Sequence, residues 1–474
     1  MEWIIVPGEV TQSSVELWLG YYIPVVLPSL FSLKLRLRDA DGREFPLVDV
    51  PKNNWERPLP KAERHWFQLV TVQGLRPQTS YTVSLGSAGR KGWVGFENAE
   101  FMTLPERIPS TFTAPFRIMA GSCFYESGDG GETGASYKAL WSSGYRCHAK
   151  FLMGDQVYLD NALPLASVPL NADSARELFR DTVLSRYYTN WRELGSVLKR
   201  GANYMLPDDH EYHNDYPFEP SVPVLLTNDG YRASWTHTCR NAAQRIQMVK
   251  RLRWLRMEDL SFCVADTRTE REQRARFMRD EEMESIVSWL RNAASPSVLV
   301  LSQPLFAAPH DGHDHGLAFF GRHYGELVAA IKSSKHDVVV FAGDVHFGRV
   351  GVAELGGKRL IEIISSPMSN IRGDISNAGF GPTFASAKPV GEPRRFPASA
   401  IDGVPQVDVV YPRMISTLPS DLPAYSQERS REHFVTAEFS RTADGIEMRV
   451  DAWQVRSRRN PLPQRDYQYQ VTLT

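Results

Sequence analysis

Six short apolar runs, each followed by polar residues, constrain the fold of this chain more than any other sequence feature. The runs are Phe116–Ala120, Phe151–Met153, Tyr204–Leu206, Leu260–Ala265, Val298–Leu301 and Val338–Ala342. Between the fourth and fifth runs, apolar residues at helical spacing behind three acidic residues predict a helix over Asp280–Leu290. Buried strands that alternate with helices indicate an α/β fold in which helices pack on sheets.

The residues that directly follow the six runs could bind a ligand or a metal. They are Ser122-Cys123, Asp155 with Tyr158, Asp208-Asp209-His210-Glu211, Asp266-Thr267-Arg268, Ser302-Gln303, and Asp344 with His346. Each group alone also fits a helix cap or a turn. In open α/β sheets, however, ligands bind outside the carboxyl ends of the strands. The ordered series therefore favours a site at which all six groups meet.

The side chains in this series have the chemistry of metal ligands. Carboxylates and imidazole suit hard or borderline cations, whereas a thiolate and a phenolate suit Fe(III) or zinc. A mixed set of this kind could hold two or more ions bridged by a carboxylate, and two ions about 3.5–4 Å apart can clamp a phosphate. The sequence has neither a Gly-Lys-Ser/Thr phosphate loop nor a dinucleotide fingerprint, so nucleotide-dependent transfer is not supported.

Three of these motifs carry a resemblance to a known family. Gly154-Asp155-x-x-Tyr158, Asp208-Asp209-His210-Glu211 and Gly343-Asp344-Val345-His346 resemble the signatures of the alkaline phosphatase D (PhoD)-like metallophosphatases, a branch of the calcineurin-like metallophosphoesterase superfamily. The resemblance covers roughly 116–366. It implies a four-layer αββα core after an N-terminal β-sandwich, phosphomonoesterase or phosphodiesterase activity, and a site with iron and calcium in preference to zinc or manganese.

The resemblance also implies a role for each candidate residue. The expected metal ligands are Cys123, Asp155, Tyr158, Asp209, Asp344 and His346. Asp155 is expected to bridge two ions, with Cys123, Tyr158 and Asp344 on an iron, and with Asp209 and His346 on the second ion. His210 is expected to protonate the leaving oxygen, as a general acid. Arg268 has the planar fork that suits a phosphate, although a surface pair with Glu270 or Glu272 is the alternative.

Two departures from the superfamily pattern bear on the metals. The opening Asp-x-His is replaced by Ser122-Cys123, as in the PhoD-like branch, and the His-His-Pro motif has become Ser302-Gln303-Pro304. One imidazole ligand is therefore lost, and Gln303 is expected to contact water or phosphate. Both changes disfavour zinc.

The first 112 residues predict an all-β sandwich of fibronectin III or immunoglobulin-like type. Residues 31–38 alternate strictly between apolar and polar, as a half-buried strand does. Tyr81 in Leu75–Leu85 fits a tyrosine corner, in which the hydroxyl returns to the backbone a few residues upstream. Another β-sandwich with a buried tyrosine is the alternative. Residues 113–474 would form the catalytic domain, with Pro- and Gly-rich loops over 367–428 and a closing hairpin over 434–455.

Charge and composition exclude several classes of partner. Lysine and arginine number 54 against 55 acidic residues, which disfavours a nucleic-acid binder. The longest apolar stretch, 21–33, is too short to span a membrane. Four cysteines do not make a disulfide framework, and no signal peptide or twin arginine is visible, so a cytoplasmic location is expected, with a processed secreted form as the alternative.

The sequence leaves three questions open. His310, His313 and His315 could line the pocket, add a metal ligand or form a polar loop. The activity could be that of a phosphodiesterase or a phospholipase D-type enzyme, with loops 367–428 admitting a second ester arm. A non-catalytic binding protein with structural metals is the rival of another class. The oligomeric state is not predicted.

Overall fold

The structure is a computed structural model with a mixed α/β fold that contains several β-sheets. It describes residues 2–22, 27–90, 92–111, 113–163, 171–220, 223–273, 275–307, 316–369, 393–415, 432–456 and 462–474. None of the helices in these ranges is long and apolar enough to cross a membrane.

The described residues form β-strands and α-helices in the following order. The strands are β1 (Glu2–Val10), β2 (Ser14–Tyr22), β3 (Lys34–Asp39), β4 (Val48–Asp49), β5 (His65–Gln73), β6 (Ser80–Gly89), β7 (Gly92–Met102), β8 (Phe116–Gly121), β9 (Ala149–Met153), β10 (Ala202–Leu206), β11 (Leu252–Arg256), β12 (Ser261–Ala265), β13 (Ser297–Val300), β14 (Val338–Ala342), β15 (Gly348–Glu354), β16 (Arg359–Ile364), β17 (Arg395–Phe396), β18 (Val407–Ile415), β19 (His433–Arg441), β20 (Ile446–Gln454) and β21 (Arg465–Leu473). The helices are α1 (Glu126–Asp129), α2 (Glu132–Ser142), α3 (Ala172–Glu193), α4 (Gly195–Leu198), α5 (Asp229–Arg245), α6 (Asp280–Arg291) and α7 (Gly321–Ser333).

Two antiparallel sheets form the N-terminal part of the chain, in the orders β1-β2-β5 and β4-β3-β6-β7. The predicted alternation is confirmed on β3, where Leu35 and Leu37 are buried and Arg38 is exposed. The Tyr81 hydroxyl accepts a hydrogen bond from the Arg76 backbone N–H at 2.8 Å, as the tyrosine corner predicts. Buried side chains from both sheets share one core.

Two larger sheets supply the strands that lead to the candidate site. The six-stranded sheet has the order β10-β9-β8-β19-β20-β21, and the eight-stranded sheet has the order β11-β12-β13-β14-β16-β15-β18-β17. Strands β8, β9 and β10 are parallel, and so are β12, β13, β14 and β16. All six predicted apolar runs are therefore strands of these two parallel sets.

The two larger sheets pack face to face through apolar side chains. Phe262 of the eight-stranded sheet lies 5.7 Å from Phe116 and 5.8 Å from Phe151 of the six-stranded sheet, measured between ring centroids. Full burial of one such side chain stabilises the fold by about 1.5–3 kcal/mol. The remaining faces contact helices: α2, α3 and α5 share a core with Met119 and Leu152, and α6 and α7 share one with the eight-stranded sheet.

Helix α6 confirms the helix predicted from periodicity. Met283, Ile286 and Leu290 are buried. The first turn carries the three acidic residues, whose negative charges are stabilised by the positive end of the helix dipole.

Part of the region predicted as loops over 367–428 is a strand instead, because 407–415 form strand β18 within the eight-stranded sheet. Pro412 made this segment look unlike a strand, since proline cannot donate a hydrogen bond within a sheet. The strand tolerates Pro412 because it lies opposite a register shift between Val350 and Val352. Residues 370–392 and 416–431 lie outside the described ranges. The predicted closing hairpin is present as β19 and β20, and β21 adds a third strand.

Candidate metal centre

The carboxyl ends of the two parallel sets bring all six predicted metal ligands together. Three groups have their ligand atoms within 4.8 Å of one another: Cys123 with Asp155 and His346, Asp155 with Asp209 and His210, and Asp208 with Asp209 and Asp344. Tyr158 joins the first group, because its hydroxyl lies 3.5 Å from Asp155 Oδ2 and 3.5 Å from His346 Nε2. Asp155 and Asp209 each belong to two of the groups, as a bridging ligand would.

The grouping differs from the expected partition in two ways. His346 lies with Cys123 instead of with Asp209, and Asp344 lies with Asp208 and Asp209. The sequence could not distinguish these arrangements, because Asp344 and His346 follow the same strand and only the backbone course sets their directions.

The backbone at four of these residues adopts a conformation that side chains rarely tolerate. The φ angles are 56° at Cys123, 55° at Asp155, 72° at Asp344 and 53° at His346. Eight non-glycine residues of the described ranges have positive φ, so half of them are predicted ligands. Such positions cost on the order of 1–3 kcal/mol each and cluster at functional sites. The fold therefore holds these four side chains in place at an energetic cost.

Hydrogen bonds fix the thiol of Cys123 within this cluster. The Ser366 hydroxyl donates to Cys123 Sγ at 3.2 Å, and Sγ lies 3.6 Å from Asp155 Oδ2. The same hydroxyl oxygen accepts from the His346 backbone N–H at 3.0 Å. Ser366 thus forms hydrogen bonds with two predicted ligands, Cys123 and His346, which follow strands of different sheets. Burial, reinforced by Asp344, raises the pKa of Cys123 to about 12.

The carboxylates repel one another in the absence of a cation. Burial raises the pKa of Asp155 well above its usual value, and the nearby Cys123 and Asp209 raise it further. Burial alone would also raise the pKa of Asp209, but the charges of His210 and Arg268 outweigh burial and lower it. A bound cation would offset this repulsion.

His210 stands beside the cluster and is paired with Asp160. His210 Nδ1 lies 2.9 Å from Asp160 Oδ1, and the His210 backbone N–H donates to Asp155 Oδ1 at 3.3 Å. Burial would lower the pKa of His210, but Asp160, Asp209 and Asp155 outweigh it and raise that pKa well above the usual value. The His210 side chain is 13% exposed, whereas Asp160 is 4% exposed. The imidazole can therefore carry a proton at a position that is partly exposed to solvent.

Glu211 connects the loops after β9 and β10. Its carboxylate accepts from the backbone N–H groups of Asp155, Gln156 and Asp208 at 2.8–2.9 Å. Gln247 donates to the same carboxylate at 3.0 Å. Because a carboxylate accepts several such bonds at once, Glu211 fixes the distance between Asp155 and the Asp208–His210 segment.

Arg268 is buried, so the alternative of a surface arginine paired with Glu270 or Glu272 is wrong. Its side chain is 1% exposed, its Nε pairs with Asp208 and its Nη1 donates to the Tyr216 carbonyl at 2.8 Å. A buried guanidinium needs such partners to offset the loss of its hydration.

Gln303 contacts a predicted metal ligand, since its Nε2 donates to Asp344 Oδ2 at 3.0 Å. The four cysteines are all buried and none forms a disulfide. The predicted His310, His313 and His315 loop lies outside the described residues.

The residues of the cluster fit metal ions. A thiol, a phenol, an imidazole and several carboxylates converge on one buried edge, and this donor set suits a borderline ion beside a hard one. The floor of the cluster is buried, whereas Asp344, His346 and His210 are partly exposed. A substrate would therefore approach from the side of these three residues.

Sequence reasoning missed Asp160, Ser366 and the hydrogen bonds by which Glu211 connects the loops after β9 and β10. Asp160 follows Asp155 by five residues in the same loop, which was an available signal. Ser366 follows β16, an apolar run of the parallel set that was not recognised.

The chain resembles a solved structure closely enough to compare the two folds. It matches a structure of PhoD with a TM-score of 0.58 and 15% identity, over 98% of this chain and 91% of that chain. The likeness shows a PhoD-like fold. A β-glucuronidase from Bacteroides uniformis overlaps at a TM-score of 0.25 with 8% identity, over 70% of this chain and 44% of that one.

No protein-family model matches the chain, and no curated protein sequence matches it.

Proposed function

We propose that this chain is a metal-dependent hydrolase of phosphoesters. One observation carries the proposal. A thiol, a phenol, an imidazole and carboxylates from loops of two sheets meet in one cluster, and the hydrogen-bonded pair of His210 and Asp160 lies next to it. The PhoD-like fold supports the same reaction class.

Two sets of side chains would hold the ions. Cys123, Tyr158 and His346 would hold the first ion, for which we propose iron, and Asp209 with Asp344 would hold the second, for which we propose calcium. Asp155 would contact both. Bound ions of this kind lower the pKa of water towards about 7 and stabilise negative charge on phosphate.

His210 would donate a proton to the leaving oxygen. Its Nδ1 contacts Asp160, so its Nε2 is the nitrogen left to face a substrate, and the paired carboxylates favour the protonated imidazole. General acid catalysis of this kind is typically worth about 10²–10⁴ in rate.

Arg268 was predicted to contact phosphate, and that role stays a prediction. Its described contacts with Asp208 and the Tyr216 carbonyl support a further role, in which it neutralises a buried carboxylate beside the ions.

We also propose the finer architecture predicted from the sequence. The helices on the outer faces of the two larger sheets support a four-layer αββα core, and the shared core of the two N-terminal sheets supports a β-sandwich. A division into 1–112 and 113–474 is supported by β19, which pairs with β8 and returns the C-terminal part to the core.

Substitution of Asp155 tests the proposal directly. Asp155→Asn should abolish hydrolysis of whichever of p-nitrophenyl phosphate and bis(p-nitrophenyl) phosphate the wild type cleaves, because it removes a carboxylate that belongs to two ligand groups. Asp173→Asn, at an aspartate whose side chain is 88% exposed, is the matched control and should retain full activity. Unchanged hydrolysis by Asp155→Asn would contradict the proposed site.

A further inference from the structure

A chain of hydrogen bonds from the loops after β12 and β13 ends on a carboxylate of the candidate metal centre. Arg271 Nη2 donates to Gln303 Oε1 at 2.8 Å, and Gln303 Nε2 donates to Asp344 Oδ2 at 3.0 Å. Arg271 and Gln303 are 3% and 1% exposed. The bond between Arg271 and Gln303 is therefore shielded from competing water, whereas the bond to Asp344 is partly buried.

The chemistry of the two ends fixes the orientation of the amide between them. A guanidinium carries only donors, and an ionised carboxylate carries only acceptors. The Gln303 amide satisfies both neighbours in one orientation alone, with its oxygen towards Arg271 and its N–H towards Asp344. If the amide were rotated by half a turn, its N–H group would face the donors of Arg271 and its oxygen would face the acceptor oxygen of Asp344. Arg271 thus determines which end of Gln303 meets the metal ligand.

Arg271 is itself held by the fold. Its Nε donates to the Thr267 carbonyl at 3.1 Å, and its guanidinium lies over the Phe320 ring, 4.9 Å from the centroid. Cation–π and hydrogen-bond contacts of this kind restrict a long side chain to one rotamer. The guanidinium is therefore a fixed point from which the chain of hydrogen bonds starts.

The backbone that carries Gln303 is also held. The buried Glu362 carboxylate accepts from the backbone N–H groups of Leu305 and Phe306 at 2.6 and 2.9 Å. Arg349, which is also fully buried, lies 3.3 Å from Glu362. Gln303 is consequently fixed through its side chain by Arg271 and through its loop by Glu362.

We propose that Arg271 is a positioning residue for the metal centre, because it aims the Gln303 N–H at one oxygen of Asp344 and so holds the carboxylate in its binding rotamer. The inference rests on the proposed metal-binding function. Partners behind metal ligands typically contribute about 10–100-fold to metal affinity. Loss of either link of the chain should weaken binding by about that factor.

The link between Gln303 and Asp344 can be tested with little change of volume. Gln303→Glu keeps an oxygen towards Arg271 but replaces the donor towards Asp344 by a second acceptor. Mn²⁺ titrated into chelator-treated protein, with the free ion measured by electron paramagnetic resonance, should bind about 10–100-fold more weakly than to the wild type. Affinity equal to that of the wild type would overturn the inference.

A double-mutant cycle tests whether Arg271 acts through Gln303. Arg271→Met should weaken Mn²⁺ binding in the wild-type background, but it should have less than about a twofold effect once Gln303→Leu has removed the intermediate amide, because coupled residues are not additive. A purely structural role would give the same loss in both backgrounds, and that result would overturn the inference.

Arg253→Met provides the matched control for loss of a buried guanidinium. Arg253 is 3% exposed and donates to backbone carbonyls, including that of Asn203 at 3.5 Å, and none of its described contacts is a proposed ligand. It should lower the melting temperature without changing Mn²⁺ affinity. A wild-type protein that binds no Mn²⁺ contradicts the proposed function together with this inference. If the wild type binds Mn²⁺ tightly and the Gln303→Glu and Arg271→Met variants bind it with the same affinity, the inference is contradicted but the proposed function is not.

Discussion

His210 and Asp160 form a hydrogen-bonded pair at the edge of the candidate metal centre, with 2.9 Å between Nδ1 and Oδ1. Asp160 Oδ2 also accepts a hydrogen bond from the Asn214 backbone N–H at 2.9 Å, so the orientation of the carboxylate is fixed independently of the imidazole. A buried carboxylate behind a histidine selects one tautomer and stabilises the protonated ring. In the proposed function, adjacent residues have different tasks, since Asp209 would be a metal ligand and His210 would donate a proton.

His210→Asn should lower kcat by about 10²–10⁴ on a substrate with a poor leaving group, because no donor would protonate the departing oxygen. The loss should be smaller on p-nitrophenyl phosphate, whose leaving group needs little protonation. Metal content should stay near that of the wild type. Steady-state kinetics on both substrates, with metal analysis of the same samples, provides the measurement.

The exposed His237 offers a matched control for His210. His237→Asn should leave both rates unchanged. If His210→Asn also hydrolyses both substrates at the wild-type rate, the proton-donor role is wrong.

Cys123→Ser should reduce metal content and activity together, since the thiolate is the one soft donor of the cluster. Cys263→Ala removes an equally buried thiol from the face of β12 that packs against helices. It should cost about 1 kcal/mol of stability through a small cavity and leave metal content unchanged. Elemental analysis and thermal denaturation distinguish the two variants. Equal metal content in Cys123→Ser and wild type would remove Cys123 from the proposed ligands.

Glu211→Gln should weaken both the fold and the metal centre. The amide would present N–H groups where the carboxylate now accepts from backbone donors, and each buried donor left unsatisfied costs about 1–3 kcal/mol. We expect a lower melting temperature and a lower affinity for Mn²⁺. Glu177→Gln, on an exposed face of α3, should change neither quantity. A Glu211→Gln protein as stable as this control would show that the clamp contributes nothing.

The α/β fold and the convergence of the candidate ligands could be predicted because buried parallel strands have a distinctive sequence pattern. Such strands are continuous apolar runs, and residues such as Asp155 and Asp344 follow them directly, so position along the chain determines position in space. Strand β18 escaped detection because Pro412 lies within it.

The partners of the ligands could not be predicted, because they are set by tertiary packing. Asp160 lies 50 residues from His210 in sequence, and Arg271 lies 32 residues from Gln303. No local pattern distinguishes these polar residues from others in loops. The positive φ angle at Cys123 was equally invisible, since cysteine is not among the residue types enriched in that conformation.

His148 should contribute a specific pH dependence of stability. Burial, reinforced by Arg117, lowers the pKa of His148 to about 3, and the ring accepts a hydrogen bond from the Arg117 backbone N–H at 3.1 Å. In the unfolded chain its pKa is about 6.5, so as the pH falls below that value the unfolded state takes up a proton that the folded state does not. Stability is therefore lost as pH falls, by up to about 1.4 kcal/mol per pH unit from this group.

His148→Asn removes this titration while it keeps an acceptor for the Arg117 N–H. Denaturant unfolding between pH 6.5 and 5 should show a free energy of unfolding that falls by about 2 kcal/mol less in the variant than in the wild type. Parallel curves would show that His148 is not held neutral in the folded protein.

Metal content measured together with hydrolysis tests the central claim most directly. Protein purified without added metal should contain bound ions and hydrolyse at least one of p-nitrophenyl phosphate and bis(p-nitrophenyl) phosphate. Exhaustive chelation should abolish hydrolysis and lower the melting temperature, because ions that bind only the folded state stabilise it. Addition of metal should restore both. A verified metal-free protein that remains active and equally stable would contradict the account.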